Sequence, residues 1–362
     1  MSRSVNRRRS VVPAALLALL LALVLPGLAV AHDPPYSGSA DRDGCTFTPF
    51  TANPWWPLWP GYSLLLEGEE EDEGETVELV VEINVLADTE LVDGVETRVV
   101  EEREFEDGEI VEVSRNFFAG CRETGAVWYF GEDVDNYEDG EIANHDGAWR
   151  AGEDGAQAGV FMPGTPLNGA RFFTEIAPGV AEDRAEIVDT DADITVPFAA
   201  FEGALHILDT NALEPSEEGD PKYYAPGVGL VKDEALELVE VEPPPCTPDE
   251  HTLCLADGRF RVQVEWTDHQ LDEGTAFAHQ IADDAGEFWF FRADNVELLV
   301  KVLDACPTEQ FDHFWVFAAG LTDVELTITV TDTETDDVRT YPNPLGNPFA
   351  PVLDTTAFEC EP

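Results

Sequence analysis

Apolar residues recur at every second position along much of this chain, a spacing that confines it to pleated sheet. Val77, Leu79, Val81 and Ile83 share one face of an extended segment, with Glu78 and Glu82 on the other. Phe260, Val262, Val264 and Trp266 alternate with Arg261, Gln263 and Glu265. Val296, Leu298, Val300 and Val302 follow, and then Val324, Leu326, Ile328 and Val330 alternate with Glu325, Thr327 and Thr329. The pattern is imperfect at one place: Val111 and Val113 share a face with Glu109, while Glu112 lies opposite beside Ile110. Asp93-Gly94, Asp107-Gly108 and Asp139-Gly140 stand between such runs. Asp-Gly suits the tight hairpin turn, whose two central residues both need positive φ. The first two pairs are 14 residues apart, the rhythm of an up-and-down meander. Residues 69–75 read as an acidic loop between two strands. After residue 31 no segment offers four turns of amphipathic helix.

The chain divides into two β modules. Residues 32–44 are polar, with two prolines, and read as a loose leader. The first module, 45–242, is expected to be a curved antiparallel sheet or open barrel. Pro243-Pro244-Pro245 is a stiff connector. The second, 246–362, adds aromatic runs at 288–291 and 314–317 and a run at 338–341. Six or seven short strands in about 110 residues have the size and rhythm of an immunoglobulin-like β-sandwich. The fold class is therefore all-β. Trp266, Trp289 and Trp315 are expected in the core or on a sheet face, with an exposed sugar-stacking platform as the alternative.

The first 31 residues carry a different message. Arg7, Arg8 and Arg9 precede an uncharged apolar run from Ala14 to Val24, and Ala29-Val30-Ala31 ends it with small residues where signal peptidase cuts. Pro13 and Pro26 favour a cleaved signal over a membrane anchor. The chain is expected to be secreted, into the periplasm or the medium, with no stable membrane insertion after cleavage. Beyond residue 31 it holds 15 Lys and Arg against 75 Asp and Glu, a formal charge of about −60. Nucleic acid is excluded as a partner, because binding it by counterion release needs cationic side chains. Docking on anionic lipid is disfavoured for the same reason. Acids spread over a surface keep it hydrated at the cost of self-repulsion, which salt screens.

Six cysteines in an exported chain read as disulfides, with fifteen pairings open. Cys246 and Cys254 are close in sequence. Cys306 and Cys360 would tie the middle of the second module to its end, and Cys45 and Cys121 remain for the first. Closing the loop from Cys306 to Cys360 is worth about 4 kcal/mol in the chain-entropy view. Cys246, His251 and Cys254 could alternatively begin a zinc site, but no good fourth ligand stands nearby.

Two stretches resemble known secreted proteins. Asn53-Pro54-Trp55-Trp56-Pro57-Leu58-Trp59-Pro60-Gly61, Val127-Trp128-Tyr129-Phe130-Gly131-Glu132-Asp133 and the segment from Lys222 to Val231 (KYYAPGVGLV) together resemble a widespread group of secreted bacterial β-rich proteins without established activity. Cys121-Arg122-Glu123-Thr124-Gly125 departs from that group, which has a polar Asp/Gly turn there. The closing segment is also similar to the last strands of exported half-barrel domains that bind lipid or other hydrophobic ligands. Leu253-Cys254-Leu255, Gly258-Arg259-Phe260, Phe288-Trp289-Phe290-Phe291 and Phe314-Trp315-Val316-Phe317 resemble a repeated accessory domain of secreted bacterial proteins. That resemblance implies a non-catalytic appended domain. Neither likeness supplies a catalytic residue.

The catalytic motifs of common hydrolases are missing. No Gly-x-Ser-x-Gly elbow, His-Glu-x-x-His helix or phosphate-binding glycine loop is present. Glycoside hydrolysis needs only two carboxylates, and a chain with 75 acids always offers two. Trp128, Tyr129 and Glu132 are the ligand candidates, since aromatic rings can stack a sugar beside an acid. Asp189, Asp191 and Asp193 open like a calcium loop, but Ile194 stands where glycine is needed and Ala200 where the bidentate glutamate belongs. Asp133 with Asp135, and Asp332 with Glu334 and Asp336, fail similarly. A looser calcium site is the second reading of each, and no other cofactor is expected. Cleavage after Ala31 would expose His32, a copper chelator in oxidative polysaccharide-cleaving enzymes, yet nothing ties it to His145 or His206.

The sequence thus points to a secreted, non-catalytic binding or surface-associated protein with a glycan or apolar ligand. The alternative is a carbohydrate-active or metal-dependent extracellular enzyme. A binding module should show an open apolar concavity or an exposed aromatic cluster. An enzyme should show converging carboxylates, one of them desolvated.

Overall fold

Alternation becomes structure when one parity of side chains meets an apolar interior and the other meets water. The computed structural model describes residues 35–37, 42–51, 53–72, 74–213, 219–308 and 311–360. The expected signal peptide, most of the leader and His32 lie outside the described residues. Nearly everything described is strand or turn, apart from a single helical turn at Arg42–Gly44. Among the described residues no helix is long and apolar enough to cross a membrane.

The first sheet is a meander that bends round on itself. Strands Ser63–Asp72, Glu75–Val92, Val95–Glu106, Glu109–Cys121 and Val127–Glu138 pair antiparallel in chain order. Asp183–Thr195, Ala200–Asn211, Asp220–Ala225, Gly229–Asp233 and Leu236–Glu242 extend the same sheet, and the last pairs with Ser63–Asp72. One short segment spans the remaining gap. Arg171–Phe173 pairs with Asp183–Thr195, and Glu175–Ile176 pairs with Gln157–Met162, which borders Val127–Glu138. The result is a nearly closed antiparallel barrel.

Local chemistry sets the register. Asp93-Gly94, Asp107-Gly108 and Asp139-Gly140 all adopt positive φ, with φ of 48° and 77°, 48° and 80°, and 52° and 76°. The imperfect alternation near Val111 is a bulge: Glu104 faces Glu112, but Phe105 faces Ile110, so Val111 is the extra residue. The bulge turns Glu112 to the same side as Glu104. The acidic stretch expected as a loop is instead strand almost to its tip, with Glu69 opposite Glu78 and Asp72 opposite Glu75. Backbone ladder bonds do not depend on side-chain charge, and water solvates Glu69, Glu70 and Glu71.

The apolar end of the barrel gathers all three segments that carry the first resemblance. Trp56, Leu58 and Tyr62 are buried inside it. The Trp56 ring lies 4.7 Å from Phe161, 5.5 Å from Phe118 and 6.2 Å from Tyr224. Gly227 donates its backbone N–H to Pro54 O at 2.6 Å, and the Tyr62 hydroxyl donates to Val228 O at 2.8 Å. Asn53 fastens the segment on the other side, donating to Gly125 O and Pro163 O.

The second module is a β-sandwich. One sheet runs Leu253–Leu255, Phe260–Thr267, Glu325–Asp332, Val338–Asn343; the other runs Phe277–Ala282, Ala285–Trp289, Leu298–Asp304, His313–Gly320, Val352–Glu359. Phe260, Val262, Val264, Ile328 and Val330 are fully enclosed, as their parity requires. Phe260 meets Phe314 and Phe358 of the facing sheet at 4.9 and 5.0 Å. Disulfides join Cys45 to Cys121, Cys246 to Cys254 and Cys306 to Cys360, in keeping with an oxidising, non-cytoplasmic environment. No cysteine is free, which removes the zinc reading of Cys246 and Cys254.

Arg98 fastens the barrel to the sandwich. Its side chain is wholly buried. Nε donates to Pro49 O at 3.2 Å, Nη1 to Ala87 O at 2.7 Å, and Nη2 to Asp257 Oδ1 of the second module at 2.5 Å. Asp257 reaches it from a left-handed turn, Ala256-Asp257-Gly258, all at positive φ.

Candidate functional site: the acid-lined end of the barrel

The other half of the barrel interior is acidic. Strand parity places Val100, Glu102 and Glu104 on the inner face of Val95–Glu106, opposite Val85, Ile83 and Val81 on one side and Asn116, Ser114 and Glu112 on the other. Glu132 lies opposite Asn116. Lys222 enters from the far wall, between Ile207 and Asp233. Its ammonium stands 3.0 Å from Asp233 and 3.4 Å from Asp209. Glycine lets the wall fold this way: a Cβ on Gly68 would sit 2.5 Å from Ala235 O, so only glycine admits the turn that follows Asp233.

These groups act on one another. Burial, with Glu104 adding, pushes Glu102 up to about 8 against the opposing pull of Lys222. Burial and Glu112 bring Glu104 to about 7. Glu132 rises to about 7 through burial, although the neighbouring Tyr129 hydroxyl works the other way. Glu175 is pushed well up by burial and then by Glu132, Asp183 and Asp209. Asp183 and Asp209 are raised by burial too. Burial disfavours the Lys222 ammonium, but Asp233 and Asp209 overcome it and hold the lysine charged. Water still reaches the chamber, since these acids keep intermediate exposure. The chamber thus gathers several acids about one lysine, and burial raises the proton affinity of its carboxyls.

Among the described residues, the buried polar atoms without a hydrogen-bond partner include Asp183 Oδ1 and the indole Nε1 of Trp149, whose residue is 6% exposed. Trp149 lies directly opposite Glu132 in the ladder, on the same side of the sheet, with its ring edge 5.4 Å from Tyr129.

The structure parts the sequence candidates. Tyr129 and Glu132 meet inside the barrel because a register shift between Asn116 and Phe118 puts residues three apart on one side. The Tyr129 hydroxyl donates to Asn116 Oδ1, and Asn116 Nδ2 donates to Ser114 Oγ at 3.0 Å. Gly131 permits this: a Cβ there would stand 2.2 Å from Trp149 O. Trp128 points the other way, its ring edge-on to Phe47 at 5.6 Å. Asp189, Asp191 and Asp193 lie along Asp183–Thr195, where Asp189 accepts the backbone N–H of Asp191. Among the described residues, the only trio of candidate metal-ligand atoms within 4.8 Å of one another is Cys45, Cys121 and Glu123. Two of those sulfurs are in a disulfide. His145 bonds Val134 O, and His206 stacks on Tyr223 at 4.5 Å. On the sandwich, Trp289 stacks on Phe277 and Trp315 meets Phe311 and Phe317 on the outer sheet face, while Trp266 lies against Phe290 and Phe291.

Sequence reading missed Glu102, Glu104, Glu112, Glu175, Asp209 and Lys222. A signal for two existed: Glu102 and Glu104 share the parity of Val100. No family model, curated protein or solved structure matches the chain.

Proposed function

We propose that this is a secreted, non-catalytic binding protein whose barrel takes a small organic cation into its acid-lined end, with the sandwich as an immunoglobulin-like accessory domain. The observation that carries the reading is the gathering of Glu102, Glu104, Glu132, Glu175, Asp183 and Asp209 about one lysine. Lys222 answers only Asp209 and Asp233 directly. Burial raises the proton affinity of the remaining carboxyls, and a cation can replace those protons. The unpartnered Asp183 Oδ1 and Trp149 Nε1 offer an acceptor and a donor that a polar ligand would satisfy. Aromatic rings of Tyr129 and Trp149 beside Glu132 suit an ammonium group. A bare metal ion is the poorer fit, because among the described residues no three acids of the chamber each place an oxygen within 4.8 Å of the others.

The test is calorimetric titration of the mature protein at pH 7 with spermidine, calcium and xylohexaose in parallel. Spermidine should bind and release protons, so the measured heat should change with the ionisation heat of the buffer. Glu102→Gln with Glu132→Gln should weaken binding at least tenfold. Binding of the neutral sugar or calcium alone would refute the reading.

One observation favours the enzyme alternative. Glu132 near pH 7 beside Tyr129 has the properties of a general acid. Release of reducing ends from oligosaccharides by wild type, abolished in Glu132→Gln, would establish that reading instead.

A further inference from the structure

A separate cavity lies where the barrel's apolar end meets the sandwich. We propose that it is a binding site for a small, neutral, apolar molecule. Its volume is about 500 Å³, within the range of small-molecule sites. Phe50, Leu58 and Trp59 line it from the barrel, and Pro248, Leu253 and Ile281 from the sandwich. Its walls are set in advance. Cys121 and both members of the Cys246–Cys254 disulfide belong to the lining, and Arg98 with Asp257 ties the two sides together.

The state of the lining charges decides the ligand class. Arg98 is consumed by Pro49 O, Ala87 O and Asp257. Asp249 accepts the backbone N–H of His251 at 2.8 Å, and Asp283 accepts that of Asp257 at 3.1 Å. His279 is engaged by Glu287 at 3.2 Å. Arg122 is exposed. Asp283 pairs with no cation among the described residues, and burial beside Asp257 pushes its carboxyl up to about 6; the remaining lining charges are engaged within the protein or exposed, and the rest of the wall is apolar. An anionic ligand would find no free buried cation there, whereas a neutral apolar one loses only its contact with water. In a chain of formal charge −56, such a site also accepts what the acidic surface does not repel. The site is independent of the acid-lined chamber, for its lining shares no residue with it.

The experiment uses N-phenyl-1-naphthylamine, an uncharged fluorophore, titrated into the mature protein. Saturable enhancement with one site per chain is expected, unchanged between 0.1 and 1 M NaCl. Ala278→Trp and Gln280→Trp, two lining positions, should each weaken it at least tenfold while circular dichroism and melting stay those of the wild type. Glu132→Gln, in the barrel chamber, should leave it intact. Failure of the wild type to bind, or equal binding by both folded, filled variants, would overturn the proposal. The second result would place the fluorophore on the exposed aromatic face of the sandwich.

Discussion

Glu102 shows how much one position can hold. It sits in a strand whose outer neighbours, Glu101 and Arg103, form an ordinary ion pair at 2.6 Å, yet its own carboxyl turns inward to a shared charge problem. Its folded pKa, about 8, lies above that of an unfolded glutamate, so the folded state holds more protons between pH 4.5 and 8. Stability from this group is fully present below pH 4.5 and is lost as pH rises through 8. Glu104 and Glu132 act in the same direction to about 7. The melting temperature should therefore fall from pH 5 to pH 8 at constant ionic strength, and Glu102→Gln should flatten that fall. Arg98 offers a second test at this scale. Arg98→Met removes the donors to Pro49 O and Ala87 O and the partner of Asp257, and should cost about 3 kcal/mol in urea unfolding. Asp257→Asn leaves the wholly buried Arg98 guanidinium without its counter-charge and should cost about 2 kcal/mol or more, although the carboxylate itself is 41% exposed.

At the level of strands and turns, the sequence was read well wherever backbone chemistry is local. Asp-Gly turns and strict alternation both name their own conformation, and the three hairpins and the sandwich core follow from them. Bulges do not announce themselves in this way. The extra residue at Val111 and the shift near Gly131 are set by the neighbouring strand, and they decide that Glu112 and Glu132 face inward. Acids were therefore legible as acids but not as lining. The long-range closure through Arg171–Ile176 was equally hidden, since two edges must meet before either pairing exists. Gly131 carries the consequence. Its φ is 129° and its Cα faces Trp149 O closely, so Gly131→Ala should destabilise the protein by more than about 2 kcal/mol. The same change should also disturb Tyr129, seen as altered near-ultraviolet circular dichroism.

For the whole molecule, charge is the dominant fact. A formal charge of −56 acts against any compact state, and screening shortens its range from about 10 Å at 0.1 M salt to about 3 Å at 1 M. Melting temperature should accordingly rise with NaCl; a flat or falling profile would speak against self-repulsion as the main cost. Salt should weaken spermidine binding in the chamber and leave the neutral fluorophore in the inter-module cavity unaffected, separating the two sites by a single variable.

Carboxyl-carbon NMR of the labelled mature protein, followed from pH 3 to 10, reads the chamber itself. Glu102 should titrate with a midpoint of about 8, and spermidine should lower that midpoint as the amine replaces the proton. A Glu102 carboxyl titrating near 4.5, unmoved by the amine, would mean that the barrel holds no shared store of protons and no place for a cation.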